Sequence, residues 1–293
     1  MELNYSENVS PPYIEQLRGS LNTYNAPLYI AGNKSLKETV QRIFSMKYSI
    51  TDIKTFSLWI FDVKTIFFQK ADVIKEEFFR EPTIIPKFEN FEFPAGSILQ
   101  TTENANGRFS FNFDAKYSSR STLLHSRVTT ALNYSYNKIP YYLYETLCMN
   151  NMQTTGLNIG IISDFSEKIE MTLSSDTGFG YYEGEKISAM KEVNEAIRGN
   201  LRWNFSKCFW INANGTFKVR NTNVPGTALN EMIVNTELLY KFGKDYNGNI
   251  SLNFNDILDQ CKSFNVLMKN DYIQTQRMTV LGRNIYIKLS YTF

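Results

Sequence analysis

Hydrophobic and polar positions alternate with a period of two in several segments, which places one set of side chains on a single face of a pleated strand. The C-terminal segment is the clearest. Ile285, Ile287, Leu289, Tyr291 and Phe293 fall on one face, with Asn284, Tyr286, Lys288, Ser290 and Thr292 on the other. Phe109, Phe111, Phe113, Ala115 and Tyr117 repeat the rhythm, as do Ile211, Ala213, Gly215, Phe217 and Val219, and Ile250, Leu252 and Phe254. The pattern predicts an all-β chain. A soluble β-sandwich alternates in the same way, so the links between strands have to separate the two architectures.

Short links are predicted near Thr51 to Lys54, Ser118 to Ser121, Ser166 to Lys168, Ser206 to Cys208, and at Asp245 to Asn249, where Asn247-Gly248 suits a hairpin. Longer links are predicted from Gln69 to Leu99, Pro140 to Asn151, Glu183 to Glu192, Asn221 to Ala228 and Ile257 to Val280. Strict alternation of short and long links is the rule for an antiparallel transmembrane β-barrel, with short periplasmic turns and long extracellular loops. A sandwich has no reason to follow it. Counting back from the last strand gives about 12 strands, the first being Met1 to Ser6, with both chain ends on the short-turn side. No linker or repeat interrupts them, so residues 1–293 are expected to form one barrel domain.

Aromatics gather where such strands meet the membrane interfaces. Tyr141, Tyr142 and Tyr144 stand beside one long link, Tyr181 and Tyr182 beside another, and Trp203, Phe205, Phe209 and Trp210 around a short turn. No apolar run approaches the roughly 18 residues of a transmembrane helix, and barrel strands of about 9 to 11 residues do not need one. The start, Met1-Glu-Leu-Asn-Tyr-Ser6, already alternates and has neither a basic nor an apolar leader region, so an exported form is expected to need a preceding segment.

Charge and candidate chemistry narrow the function by exclusion. The 31 basic and 29 acidic side chains give a net charge of +2 without a basic block, which argues against nucleic acid as a partner. Cys148, Cys208 and Cys261 are far apart and carry no metal-ligand spacing. His125 is the single histidine, and its neighbour Ser126 points to the opposite face of a strand, so the two cannot form a catalytic dyad. Gly178-Phe-Gly180-Tyr-Tyr-Glu-Gly184 misses the spacing of a phosphate-binding loop and fits a strand end near a rim. Neither an enzyme nor a bound cofactor or metal is expected.

Four segments resemble a known family. They are Tyr5-Ser-Glu-Asn-Val-Ser-Pro-Pro-Tyr-Ile-Glu-Gln-Leu17, Asn25-Ala-Pro-Leu-Tyr-Ile-Ala-Gly-Asn-Lys-Ser-Leu-Lys37, Ser251 to Gln260, and Leu281-Gly-Arg through Ser290-Tyr-Thr-Phe293. In order and spacing they resemble the C-terminal barrel portion of TonB-dependent outer-membrane receptors and the related outer-membrane β-barrel proteins. The resemblance implies uptake of a substrate across the outer membrane through a lumen opened by a plug. It implies contact with outer-membrane lipid and the barrel-assembly machinery, and with a plug segment, an energy-coupling protein and a surface lipoprotein. It covers only the latter half of such a receptor, which leaves open a non-transporting remnant of a split gene or a small passive pore. Tyr291 and Phe293 resemble the aromatic C-terminal signal read by the assembly machinery.

The link after Gln69 carries Phe78, Phe79, Ile84, Ile85, Phe88, Phe91 and Phe93 among Pro82, Pro86 and Pro94. The prolines predict an irregular loop, and the apolar content predicts that it packs on something. Phe78, Phe79, Phe88, Phe91 and Phe93 are the candidate contacts to a ligand or partner at the extracellular mouth. Packing on the barrel's own rim is the alternative.

Overall fold

A computed structural model describes residues 1–88, 90–121, 126–143, 145–166, 168–185, 187–243, 246–261, 264–268, 273–277 and 281–292. Twelve strands form one sheet: β1 (Glu2–Ser10), β2 (Thr39–Asp52), β3 (Ser57–Gln69), β4 (Phe109–Ser121), β5 (Ser126–Leu143), β6 (Thr146–Ser166), β7 (Ile169–Gly184), β8 (Ile187–Asn204), β9 (Phe209–Thr222), β10 (Leu229–Phe242), β11 (Gly248–Asn255) and β12 (Asn284–Tyr291). Each pairs antiparallel with its sequence neighbours, so the chain is an all-β meander. β1 and β12 are the two edges of the sheet and are not paired with each other.

The register joins the separate alternations into one surface. Leu3 is opposite Met46, Met46 opposite Val63, and Val63 opposite Phe113. Further across, Ile161 is opposite Leu173 and Leu173 opposite Gly199, while Tyr240 meets Ile250 and Ile250 meets Leu289. Directly opposed residues share a face, so the apolar series of all twelve strands lie together. Ile285, Ile287 and Leu289 at one edge are 62%, 68% and 67% exposed, and Leu3 at the other is 68% exposed. Among the described residues no second layer covers this face.

Following opposed residues across the sheet also reveals a stagger. One row runs Tyr48, Phe61, Ala115, Leu132, Leu157, Thr177, Glu195, Val219 and Asn230. It starts near the end of β2 at Asp52 and finishes beside the start of β10 at Leu229, which is the opposite rim. About eight residues of climb over about eight strand spacings is a tilt of roughly 35° to the line of turns, given strand and residue spacings of about 4.8 and 3.3 Å. Closed barrels tilt their strands by a similar amount.

Several predicted boundaries move. β1 continues past Ser6 to Ser10, because Glu7, Asn8, Val9 and Ser10 stay in register with Arg42, Gln41, Val40 and Thr39; Pro11 and Pro12 then end it. Ser118 to Ser121 are strand, not turn, paired with Thr129 to Ser126. Asn249 likewise belongs to β11, and Asp245 lies outside the described residues. The links predicted as long at Pro140 to Asn151 and Glu183 to Glu192 are hairpins, with pairing carried up to Leu143 opposite Thr146 and Gly184 opposite Ile187. β5 outruns β4, whose last opposed pair is Phe109 with Lys138, so Pro140 has a ladder on one side only and its missing N–H breaks nothing. The rim opposite the turns therefore carries four extended links, between β1 and β2, β3 and β4, β9 and β10, and β11 and β12, and two tall hairpins.

The first two extended links fold into a cap. Leu21–Asn22, Leu28–Ala31, Ile98–Ala105 and Ala71–Phe78 form a mixed sheet in that order, with Leu28–Ala31 parallel to Ile98–Thr101. Ala71–Phe78 is a regular strand where an irregular loop was expected from Gln69 to Leu99, and its partner Ile98–Ala105 starts at the end of that link. The three prolines stand outside both, in the tip between them. Tyr29, Ala31, Phe79, Phe93 and Leu99 make the core, packed by Leu21, Ile85, Phe88 and Phe91. The Asn104 side-chain amide roots the cap by donating to the carbonyls of Lys37 and Lys70 and to Asp72 Oδ1.

Candidate functional site

Alternation that turns apolar residues to one face turns Asn, Ser, Thr, Lys, Arg and acidic side chains to the other. Asn112, Asp114, Asn133, Asn158, Asp176, Asn194, Arg198, Asn212, Asn214, Lys218, Arg220, Glu231, Asn235, Glu237, Ser251 and Asn253 all lie on this polar face. Ile43, Ile60, Ile66 and Phe68 interrupt it on β2 and β3. Charges on the apolar face are sparse: Glu7 and Arg42 form an ion pair at 2.9 Å toward the extended links, and Lys138, Glu183, Lys191 and Glu195 lie on β5, β7 and β8.

The polar face holds a depression of about 330 Å³ over β5 to β10. Its floor is Gly156 opposite Gly178, flanked in the same row by Asn133 and Asn194. A Cβ on Gly156 would stand 2.2 Å from Asn133 Oδ1, so the glycine lets that amide lean over the floor. Arg198, Lys218 and Arg220 stand along one side, with Asp176 and Asn158 on the other.

Each cation has a carboxylate partner. Arg198 pairs with Asp176, which also accepts from Asn158. Lys218 Nζ is 3.0 Å from Glu231, and Arg220 Nε is 3.2 Å from Glu192. Glu192 also accepts from the Asn194 amide at 2.6 Å, and Asn194 Oδ1 accepts from Arg220 Nε at 3.2 Å. Arg220 Nη1 is buried with no acceptor. Nearer the turns, Trp210 lies on this face between two cations, with Arg202 at 4.8 Å and Lys241 at 4.4 Å from its ring.

The aromatic residues expected at the rims divide between faces. Tyr142, Tyr181, Trp203 and Phe209 lie on the apolar face, whereas Tyr141, Tyr182 and Trp210 lie on the polar one. Near the turns, Trp59 lies tilted against Tyr117 with centroids 4.3 Å apart, and Trp203 against Phe205 at 3.9 Å. Of the five candidate mouth contacts, Phe79 and Phe93 are core residues of the cap and Phe88 and Phe91 pack against that core. Phe78 is 47% exposed. Tyr291 closes β12 on the apolar face opposite Gly248. Phe293, His125 and Tyr144 lie outside the described residues.

Outside the sheet, the Cys261 thiol is pushed up from its ordinary pKa, first by burial and then by Glu231 and Asp256. Tyr246, in the turn before β11, is also raised, by the neighbouring Cys208. Among the described residues no group of three or more His, Cys, Asp or Glu converges on one point, and no helix is long and apolar enough to cross a membrane, which says nothing of strands.

The three ion pairs at the depression were missed in the sequence. Their trace there is charged residues at alternate positions of successive segments, Asp176, Glu192, Arg198, Lys218, Arg220 and Glu231, and only the register makes them neighbours. The chain matches no family model, no curated protein and no solved structure.

Proposed function

We propose that this chain forms the wall of an outer-membrane β-barrel of the TonB-dependent receptor type, which takes up a substrate across that membrane. The observation that carries this reading is the apolar face that continues across twelve strands with few charges on it and that no second layer covers among the described residues. Water disfavours exposed apolar area by about 25 cal/mol per Å², and uncovered patches far smaller than this one already mark interaction surfaces. Lipid is the neighbour that fits a face of such breadth, and the strand tilt and the concentration of extended links at one rim agree with it.

On this reading the polar face lines the lumen, the cap lies at the extracellular mouth, and specificity resides in both. The ring is completed beside β1 and β12 by further strands, and the plug and energy-coupling protein belong to the parts that complete it. A small passive pore is the second reading. One observation favours it: β1 and β12 run antiparallel and carry their apolar residues on the same face, so each edge suits the other. A barrel remnant without transport is the third.

Export of the chain behind an added signal, followed by outer-membrane fractionation and heat-modifiability, tests the proposal. A membrane-inserted chain that shifts on heating only when co-expressed with the missing strands supports the receptor wall. A heat-modifiable band from the chain alone supports the passive pore. A chain recovered from the soluble fraction ends both.

A further inference from the structure

We infer that the glycine-floored depression on the polar face is a subsite for a solute bearing oxyanion groups, carboxylate or phosphate; this rests on the reading of that face as the lumen wall. The first argument is how the three ion pairs are set. Glu231 is 3% exposed and its partner Lys218 is 42% exposed. Glu192 is 13% exposed against 22% for Arg220, and Asp176 is 38% exposed against 50% for Arg198. In each of these three pairs the carboxylate is drawn further into the wall and the cation stands further out, whereas in the Arg202–Glu170 pair nearer the turns, away from the depression, the order is reversed at 40% and 57%. The surface offered to a solute is the cationic half of each pair.

The second argument is donor capacity. A guanidinium carries five N–H donors in a fixed fork that matches a carboxylate or phosphate. Arg220 uses its Nε on Glu192 and Asn194, and its buried Nη1 has no acceptor. The Arg220 side chain is 22% exposed and lines the depression, so the N–H groups that still face it are the donors an oxyanion meets. Asn133 leans over the floor from the other side with its Oδ1 nearest Gly156, so the donors come from the cations and not from this amide.

The third argument is spacing. Lys218 and Arg220 are two apart on one strand and Arg198 stands diagonally across from Lys218, so the cations follow the strand at intervals of about 7 Å. That array suits a solute with two or more anionic groups better than a single small ion. The floor stays open because Gly156 and Gly178 place no side chain between the cations and Asn133.

The test uses the full chain, exported and recovered from outer membranes, in equilibrium dialysis against citrate, inorganic phosphate and an uncharged disaccharide at low ionic strength. Insertion is read separately by protease protection in the same membranes. The expected result is saturable binding of citrate, of phosphate, or of both, with none of the disaccharide; which anion binds tells carboxylate from phosphate. The paired variant Glu192→Gln with Arg220→Gln leaves no charge unpartnered and is expected to weaken binding at least tenfold. Gly178→Leu, whose Cβ meets nothing closer than 3.9 Å, is expected to do the same by raising a side chain from the floor. An inserted chain that binds neither anion, or whose variants bind as tightly as the parent, overturns the subsite and leaves the barrel reading standing. A chain that does not insert even when co-expressed with the missing strands overturns both.

Discussion

The cap and the twelve-stranded sheet are built from the same residue types and solve the burial problem in opposite directions. In the cap, Tyr29, Phe79, Phe93 and Leu99 turn inward, with Phe93 fully buried, as water demands of any folded unit. In the sheet, Phe44, Trp59, Phe179 and Phe217 turn outward and are 48%, 41%, 53% and 37% exposed, while Glu231 and Asn253 lie buried on the other side. One chain therefore carries two polarity rules. On the proposed reading the difference reflects two solvents, an aqueous one around the cap and an apolar one around the sheet.

Breaking the cap is expected to have the largest effect. Phe93→Ala removes the ring that Tyr29, Phe79, Phe88 and Phe91 all touch, and truncating a buried Phe costs about 3–5 kcal/mol. Limited proteolysis is expected to cut between residues 71 and 105 in this variant while leaving the twelve strands intact. Simultaneous loss of both regions would show that they are one cooperative unit.

Reversing the polarity of the sheet comes next. Ile197→Arg places a charge within the apolar band, which costs about 2–4 kcal/mol near the middle of a bilayer, whereas Asn200→Arg on the opposite face is expected to cost little. Equilibrium folding into lipid vesicles measures both, and equal costs would remove the distinction between the faces. Asn104→Ala cuts the root that ties both cap links together, removing hydrogen bonds to half-buried and exposed acceptors worth about 0.5–1.5 kcal/mol each; faster proteolysis of the cap without loss of its core is expected. Last, Cys261 is held protonated by burial and by nearby carboxylates, so at mildly alkaline pH it is expected to react with thiol reagents more slowly than a free cysteine. A rate equal to that of a free thiol would contradict the packing of this link.

The amphipathic strands were legible because each alternation is local. Ile285 to Tyr291 and Phe109 to Tyr117 declare their faces without any knowledge of their neighbours, and the count of twelve followed. What was not legible depends on contacts between distant segments. Pro82, Pro86 and Pro94 suggested an irregular loop, yet Ala71–Phe78 pairs regularly because its partner, Ile98–Ala105, lies beyond all three. Phe79 and Phe93 looked like contact residues until the cap gave them a core. Pro140 suggested a break, and only the mismatch in length between β4 and β5 permits it. The ion pairs that surround the Gly156 and Gly178 floor needed the register of four strands before they became a site.

The most direct test of the central claim is a cysteine scan of β8 in membranes, in a background lacking Cys148, Cys208 and Cys261, with a membrane-impermeant thiol reagent. The account predicts strict alternation: cysteines at Asn194, Ala196 and Asn200 react, and those at Val193, Ile197 and Leu201 are protected. Uniform reactivity along β8, or protection of the even positions, would contradict a sheet with lipid on one face and water on the other.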